Sequence, residues 1–301
     1  MFDIQNIILG LRKKYEQSYG FAAFDLDWKE NEDSITVSGE VLTEKQREET
    51  ISEIGKVCDK KIEDRIQVLS DPDGEAIGWV RVKKDIADMK SRFVSSAVMN
   101  DKILKRVRAS QAVKGEVLRV LLRQDDQILA QSDDLALGWV DLADVTLEEI
   151  SLKEEWRSAL VAKSGELIDM TFSEKEFIAE AENFLGVKYV LGAKSEAAID
   201  CSGFAQLVFR NAFDVILPRH SWDQKKMGIV VDLEKAQTGD LVFMINKNTN
   251  TKHVGIWEKT ENEADIIHAS FSEGKVVRQK SDEVFEKYKL VEVRRIVRNN
   301  L

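Results

Sequence analysis

The 301-residue chain has few of the residues that mark flexible linkers or disulfide frameworks. It contains two prolines and sixteen glycines, too few for long disordered linkers, and 43% of its residues are hydrophobic. It contains only two cysteines, Cys58 and Cys201. They fall in different predicted domains, so no disulfide framework is implied. At this length we expect two or three domains, each folded around its own core.

The chain also lacks a basic surface and a long apolar run. Its 44 basic and 54 acidic residues give a formal net charge of −10, so we expect no binding to nucleic acid or to anionic membranes. No segment reaches the roughly 20 apolar residues of a membrane span. The start, MFDIQNIILGLRKKYEQ, places its basic residues after the apolar ones and has no small-residue cleavage site, unlike a signal peptide. If Met1 is native, this predicts a cytoplasmic protein. An envelope or secreted protein whose leader was removed would look the same.

The most informative segment is AIDCSGFAQLVFRNAF, in which a thiol stands at the start of a helix. Apolar residues recur at helical spacing after Cys201 and predict a helix with one buried face. These residues are Phe204, Leu207, Val208 and Phe213. Asp200 is placed to cap the first turn, where free N–H groups and the helix dipole favour Cys201 as a thiolate. A small buried cysteine without chemistry is the alternative.

The chain has three histidines, His220, His253 and His268, and all of them follow Cys201. TKHVGIW alternates in polarity and predicts a half-buried strand that presents His253, and ADIIHAS predicts a second strand with His268. Their separation of 15 residues suits antiparallel neighbours joined by a short loop. A thiol and two imidazoles can supply nucleophile, base and base-orienting group, whereas zinc lacks a fourth ligand at a usual spacing. We expect no metal, and no catalytic role for His220.

Five blocks in this order resemble the NlpC-type cysteine peptidases, papain-like bacterial enzymes that cut cell-wall peptides. The blocks are DCSGF from Asp200, PRHS from Pro218 with Gln224, GDLVF from Gly239, HVGI from His253 and IHAS from Ile267. GVKYVLGA, upstream of them, resembles the Tyr-x-x-Gly-Gly segment of the family, with Ala193 in place of the second glycine. The resemblance covers about residues 172–301. It implies an α+β domain in which helices pack on an antiparallel sheet.

The resemblance implies a Cys-His-His triad. Cys201 matches the nucleophile, His253 the general base and His268 the polar residue that orients the base. The implied reaction is attack of the thiolate on an amide carbonyl, formation of a thioester and its hydrolysis, without a cofactor. The implied bond joins γ-D-glutamate to a diamino acid in the peptidoglycan stem. The expected partners are therefore peptidoglycan stem peptides or muropeptides.

The resemblance also implies five substrate-binding residues. Tyr189 matches a tyrosine at the active-site rim that helps to polarise the scissile carbonyl. Asp200 and Ser202 match residues that hold the free amino group of the substrate's terminal alanine. Arg219 and Ser221 match a loop beside the groove, where the arginine is expected to bind a substrate carboxylate.

The region before the peptidase block predicts two smaller modules. Residues 1–75 show an α-β-β-α-β order that resembles the BON modules of bacterial envelope proteins, a candidate adaptor for another envelope component or protein. Residues 76–150 contain short strands with turn signals and resemble a bacterial SH3-like barrel. A helical connector at 151–170 leads to the peptidase domain at 171–301.

Two other functions remain open at this point. A non-catalytic protein that binds cell wall or peptide would keep the fold with an idle triad. A thiol amidase or acyltransferase would use the same chemistry on another substrate.

Overall fold

The computed structural model describes residues 2–19, 24–70, 74–148, 156, 165–260 and 263–299. By their contacts the residues form two units, Met1–Ser132 with Ala136–Trp156 and Asp133–Leu135 with Arg157–Leu301. Most of the predicted helical connector at 151–170 lies outside the described residues. None of the described helices is long and apolar enough to cross a membrane.

The first unit begins with the predicted α-β-β-α-β order. Its elements are α1 (Phe2–Tyr19), β1 (Phe24–Glu30), β2 (Ser34–Val41), α2 (Glu44–Gly55) and β3 (Lys61–Val68). Strand β2 pairs antiparallel with β1 and parallel with β3. A capping box opens α2, because Thr43 accepts from the backbone of Gln46 and the Gln46 side chain accepts from the backbone of Thr43. The described elements follow this order, and the resemblance to a BON module stays a prediction.

The first unit continues with a seven-stranded sheet. Its elements are β4 (Gly78–Val82), β5 (Ile86–Lys90), α3 (Asp101–Val107), β6 (Arg108–Val113), β7 (Val117–Gln124), β8 (Gln127–Gln131), β9 (Leu137–Asp141) and β10 (Val145–Glu148). The strand order is β10-β4-β7-β8-β9-β5-β6, with antiparallel neighbours throughout. Among the described strands this order has two ends and does not close on itself. The SH3-like barrel therefore stays a prediction.

The second unit is a mixed α+β structure built on a six-stranded sheet. Its elements are β11 (Ile168–Met170), α4 (Glu174–Glu182), β12 (Lys194–Ser195), β13 (Ala198–Ile199), α5 (Cys201–Phe213), α6 (Ser221–Gln224), β14 (Ile229–Val231), β15 (Leu241–Asn246), β16 (Lys252–Lys259), β17 (Ala264–Ser270), β18 (Lys275–Lys280), α7 (Ser281–Lys287), β19 (Tyr288–Arg295) and β20 (Val297–Asn299). The sheet order is β14-β19-β15-β16-β17-β18. All its neighbours are antiparallel, as predicted.

The central strand β15 shows why this sheet is covered on both faces. Successive side chains of a strand point to opposite faces. Leu241 and Phe243 pack in one core with residues of α4 and α5, whereas Val242 and Met244 pack in a second core with Val284 of α7. The continuous apolar run LVFMI is therefore buried between helices that cover both faces of the sheet.

Strand β16 differs from the prediction of a half-buried strand. Its five residues from His253 to Trp257 are all buried, so both faces are covered. Alternation of polarity predicts one open face, because His253 and Gly255 alternate with apolar residues in this segment. In the folded unit His253 is instead buried, and this burial lowers the pKa of its imidazole.

Candidate active site

Cys201 is the first residue of α5, and two contacts fix the start of this helix. Asp200 Oδ1 accepts from the backbone N–H of Gly203 at 2.8 Å, which confirms the predicted N-cap. Gly203 leaves no room for a side chain, because a Cβ there would lie 2.7 Å from the carbonyl oxygen of Ala193. The helix start thus packs directly on the backbone of the preceding segment. The Cys201 residue itself is buried, with 9% of its surface exposed.

The surroundings of Cys201 favour a neutral thiol. Burial, and after it the negative charge of Asp200, raise its pKa to about 12. Hydrogen bonds from the backbone N–H groups of Val254 and Ser202 and the charge of Arg219 lower the pKa, but by less. The helix start alone predicted a thiolate, and burial reverses that expectation. The bond from Val254, the residue that follows His253 in the chain, also places the sulfur beside β16.

His253 and His268 lie on adjacent antiparallel strands, as predicted, and their rings are hydrogen-bonded. His253 Nε2 lies 2.7 Å from His268 Nδ1, and strands β16 and β17 pair with Ile256 opposite Ile267. Burial lowers the pKa of His253 well below its usual value, and the nearby His268 lowers it further. Burial also lowers the pKa of His268 to about 4. Both imidazoles are therefore neutral at neutral pH.

Two further residues contact the imidazole pair, and no motif in the sequence marked them. The ring of Tyr288, at the start of β19, stacks on His253 with 4.8 Å between ring centroids and 22° between planes. Gln279 of β18 places Oε1 2.9 Å from His268 Nε2. Burial raises the pKa of Tyr288. The site thus extends to β18 and β19.

Asp200, Ser202 and Arg219 form a buried ion-pair network behind the thiol. The Arg219 guanidinium donates through Nη2 to Asp200 Oδ2 at 2.6 Å and through Nη1 to Asp200 Oδ1 at 3.0 Å. Nη1 also donates to Ser202 Oγ at 2.9 Å. Arg219 is 2% exposed and Asp200 is 4% exposed. Although burial opposes it, the Arg219 charge holds the pKa of Asp200 below its usual value.

This network differs from the expected substrate contacts of Asp200 and Arg219. Asp200 accepts from five donors, since the backbone N–H of Gly192 at 2.9 Å and Ser202 Oγ at 3.2 Å join Gly203 and the two guanidinium nitrogens. A carboxylate offers about four lone-pair sites. The Asp200 carboxylate therefore has no free lone pair for a substrate amine. The two guanidinium nitrogens of Arg219 donate to Asp200 rather than to a substrate carboxylate.

Tyr189 and Ser221 lie on the segments that flank this network. Burial raises the pKa of Tyr189, and the negative charge of Asp200 raises it further. Its ring meets the exposed Phe271 edge-on, with 5.6 Å between centroids. Ser221 opens α6, whose position is fixed by Gln224, because Nε2 of that residue donates to the carbonyl oxygen of Ser202 at 3.0 Å.

Within the described ranges, no group of three or more His, Cys, Asp or Glu side chains is placed to hold a metal ion. The arrangement that the fold does assemble consists of a thiol at a helix start and two linked imidazoles on a neighbouring antiparallel sheet. It is the kind of site that papain-like cysteine peptidases use.

Comparison with known proteins agrees with this class. Residues 186–295 match the family model described as NlpC/P60 family. The chain is 36% identical over 118 residues to the probable endopeptidase NlpC of Escherichia coli K12, a match that covers 39% of this chain and 74% of that protein. The chain belongs to the NlpC/P60 family.

Two other relatives match over segments of similar length. The murein DD-endopeptidase MepS/murein LD-carboxypeptidase of Escherichia coli K12 is 38% identical over 112 residues, which are 37% of this chain and 57% of that protein. The γ-D-glutamyl-L-lysine dipeptidyl-peptidase of Bacillus cereus is 29% identical over 103 residues, which are 34% of this chain and 30% of that protein. The chain thus spans little more than half the length of MepS.

Proposed function

We propose that the chain is a cysteine peptidase that hydrolyses peptidoglycan stem peptides at the bond between γ-D-glutamate and a diamino acid. The observation that carries the proposal is the Cys201 thiol at the start of α5, beside the strand that carries His253, whose ring is bonded to His268 at 2.7 Å. The family and the relatives named endopeptidase support hydrolysis of wall peptides. The relative named γ-D-glutamyl-L-lysine dipeptidyl-peptidase supports the choice of bond.

In the first step the Cys201 sulfur attacks the amide carbonyl while His253 takes the thiol proton. Because burial keeps both groups neutral before substrate binds, the proton moves during the attack rather than before it. The oxyanion is stabilised by the backbone N–H groups of the first turn of α5 that the Asp200 cap leaves available. The tetrahedral intermediate then collapses to a thioester.

The leaving amine takes the proton from the His253 imidazolium as this collapse breaks the C–N bond. Water then attacks the thioester, with His253 as base and His268 holding the ring in place. We assign to Tyr189, whose backbone pairs with Ile199 just before Asp200 and Cys201, the role of polarising the carbonyl. Cys201, His253 and His268 are the catalytic residues of this mechanism.

We assign Asp200 and Arg219 a supporting role. Their buried ion pair and the contact of Ser202 with Arg219 hold the first turn of α5, and thereby the thiol, in place. Recognition of a free substrate amine then depends on groups other than Asp200. N-acetylation of the terminal alanine tests amine recognition itself: a large loss of turnover shows that the amine is read, and an unchanged rate shows that it is not.

The experiment for the function uses defined stem peptides and mass spectrometry of the products. L-Ala-γ-D-Glu-meso-diaminopimelate and its L-lysine counterpart are expected to yield L-Ala-γ-D-Glu and the free diamino acid. Cys201→Ala removes this activity with folding intact, whereas Cys58→Ala, the matched control, keeps it. Turnover by Cys201→Ala would exclude the assigned nucleophile. If the protein cleaves only the bonds of a DD-endopeptidase or an LD-carboxypeptidase, the activities in the MepS name, then the proposed bond is wrong.

A further inference from the structure

Three side chains on three successive strands form one hydrogen-bonded chain. Gln279 Oε1 of β18 lies 2.9 Å from His268 Nε2 of β17, and His268 Nδ1 lies 2.7 Å from His253 Nε2 of β16. His268 is 1% exposed and His253 is 4% exposed, so water does not compete for these nitrogens. Gln279 lies diagonally across from His268, because Val277 pairs with His268 and Gln279 with Ile266.

The amide group of Gln279 determines which atom donates and which accepts in each of these two hydrogen bonds. An amide oxygen only accepts hydrogen bonds, so His268 must carry its proton on Nε2. A neutral imidazole has one protonated nitrogen, which leaves His268 Nδ1 as an acceptor. His253 must then donate from Nε2, and its Nδ1 has no proton. Nδ1 of His253, the ring nitrogen that His268 does not contact, is therefore the atom that can accept a proton.

We propose that Gln279 is a positioning residue whose amide oxygen fixes the tautomers of His268 and His253, so that Nδ1 of His253 accepts the thiol proton. The inference rests on the proposed peptidase function for its catalytic meaning. If the amide were turned by 180°, its NH₂ group would face His268 Nε2. Both imidazoles would then carry their protons on Nδ1, and His253 would have no free nitrogen for the thiol.

Charged groups near His268 do not replace this contact. Glu273, in the turn between β17 and β18, favours the protonated ring, and Lys287 of α7 opposes it. The two form an ion pair at 3.4 Å. Their opposite effects act on the charge of the ring, whereas Gln279 determines which nitrogen carries the proton.

The tautomers can be read without substrate by long-range ¹H–¹⁵N NMR of the imidazole rings. The chain has three histidines, so a His220→Gln variant leaves two rings to assign. We expect His253 and His268 to be protonated on Nε2 alone. A spectrum with the proton on Nδ1 of either ring overturns the proposal. Because this measurement needs no turnover, it separates failure of the proposal from failure of the proposed function.

Variants of Gln279 test the catalytic consequence. Gln279→Met keeps the length of the side chain but removes the acceptor, so kcat is expected to fall about tenfold to a thousandfold with little change in KM. The NMR spectrum of this variant should show mixed tautomers. Val277→Ala, on the same strand and opposite His268, is the control for loss of packing and should keep kcat within about threefold and the tautomers unchanged.

Gln279→Glu is the conservative rescue. Its carboxylate still accepts from His268 Nε2, so the tautomers are retained. Its negative charge also favours protonated imidazole, which moves the acid limb of the kcat–pH profile to higher pH. A Gln279→Met variant with wild-type kcat and tautomers would overturn the proposal, and so would a Gln279→Glu variant with an unshifted profile.

Discussion

The Cys201 thiol experiences two opposing effects, and their balance determines its charge. The helix start and the N–H groups of Val254 and Ser202 favour a thiolate, whereas burial and the Asp200 carboxylate disfavour it. A helix terminus contributes about 0.3–1 kcal/mol to a nearby charge, and burial of an ionised group costs several times more. The sequence shows the helix but not the depth of burial, so it predicted the wrong resting charge.

The pH dependence of alkylation tests the charge of this thiol. In a Cys58→Ala variant the rate of reaction of Cys201 with iodoacetamide should rise about tenfold per pH unit between pH 7 and 9, because the thiolate fraction rises in that proportion below the pKa. Mass spectrometry at fixed times gives the rate. A rate already constant from pH 6 to 8 would show a preformed thiolate–imidazolium pair and contradict the neutral resting state.

Gly255 makes room for the imidazole pair. A Cβ at this position would lie 2.5 Å from Ile266 Cγ2 and 3.1 Å from His268 Cβ. Gly255→Ala should displace His268, lower kcat and destabilise the protein by about 1–3 kcal/mol through overpacking. Activity assays and chemical denaturation measure the two effects.

Gly78→Ala is the matched control, because it also lies in a strand and no heavy atom lies within 4 Å of its Cβ position. It should leave kcat unchanged. If Gly255→Ala also keeps the wild-type kcat, the tight contact with His268 does not position the imidazole.

At the scale of the element, helix α5 could be predicted because its signals are local. The capping carboxylate, the thiol and the apolar spacing all lie within residues 200–213, and the helix begins and ends there. The partner of Asp200 could not be predicted in the same way. Arg219 lies 19 residues further on, and only the fold turns its guanidinium inward. The same holds for Gln279 and Tyr288, since strand pairing rather than a motif brings them to the histidines.

A double-mutant cycle tests whether Asp200 and Arg219 act as a structural pair. Each single variant, Asp200→Ala or Arg219→Met, removes one member of this buried ion pair and should cost about 3–5 kcal/mol of unfolding free energy. The double variant should cost clearly less than the sum of the two. Urea denaturation of the four proteins measures the cycle. Additive losses would show that the two side chains do not depend on each other.

At the scale of the whole molecule, the structure describes two units, and neither of them is continuous in sequence. Residues 133–135 belong to the second unit, where the Asp134 carboxylate pairs with Lys194 at 2.8 Å. Sequence periodicity could predict the strands on either side but not this pairing, which joins residues 60 positions apart. The predicted domain limits at 75, 150 and 170 stay predictions.

Acid should destabilise the protein through its buried histidines. The pKa of His268 is lowered to about 4 by burial, and the unfolded chain has the ordinary value of about 6.5. Between these values the unfolded state binds more protons, so stability falls as the pH falls from 6.5 to 4. The loss attributable to His268 is about 3 kcal/mol. His268→Gln should flatten this part of the stability curve.

Denaturation at pH 8 provides the control, because both states of His268 are neutral there and the variant then reports only its pH-independent effect. If the wild type and His268→Gln lose equal stability between pH 6.5 and pH 4, His268 does not have a lowered pKa.

The most direct test of the central claim is detection of the acyl-enzyme. Wild-type protein mixed with L-Ala-γ-D-Glu-meso-diaminopimelate, quenched in acid and digested with trypsin, should carry the L-Ala-γ-D-Glu acyl group on the peptide Ser195–Arg210, which contains Cys201. Mass spectrometry should place the group on the Cys201 sulfur, and hydroxylamine should release it. Turnover accompanied by an acyl group on another residue would contradict the account, as would an unmodified Cys201 under conditions in which deacylation is rate-limiting.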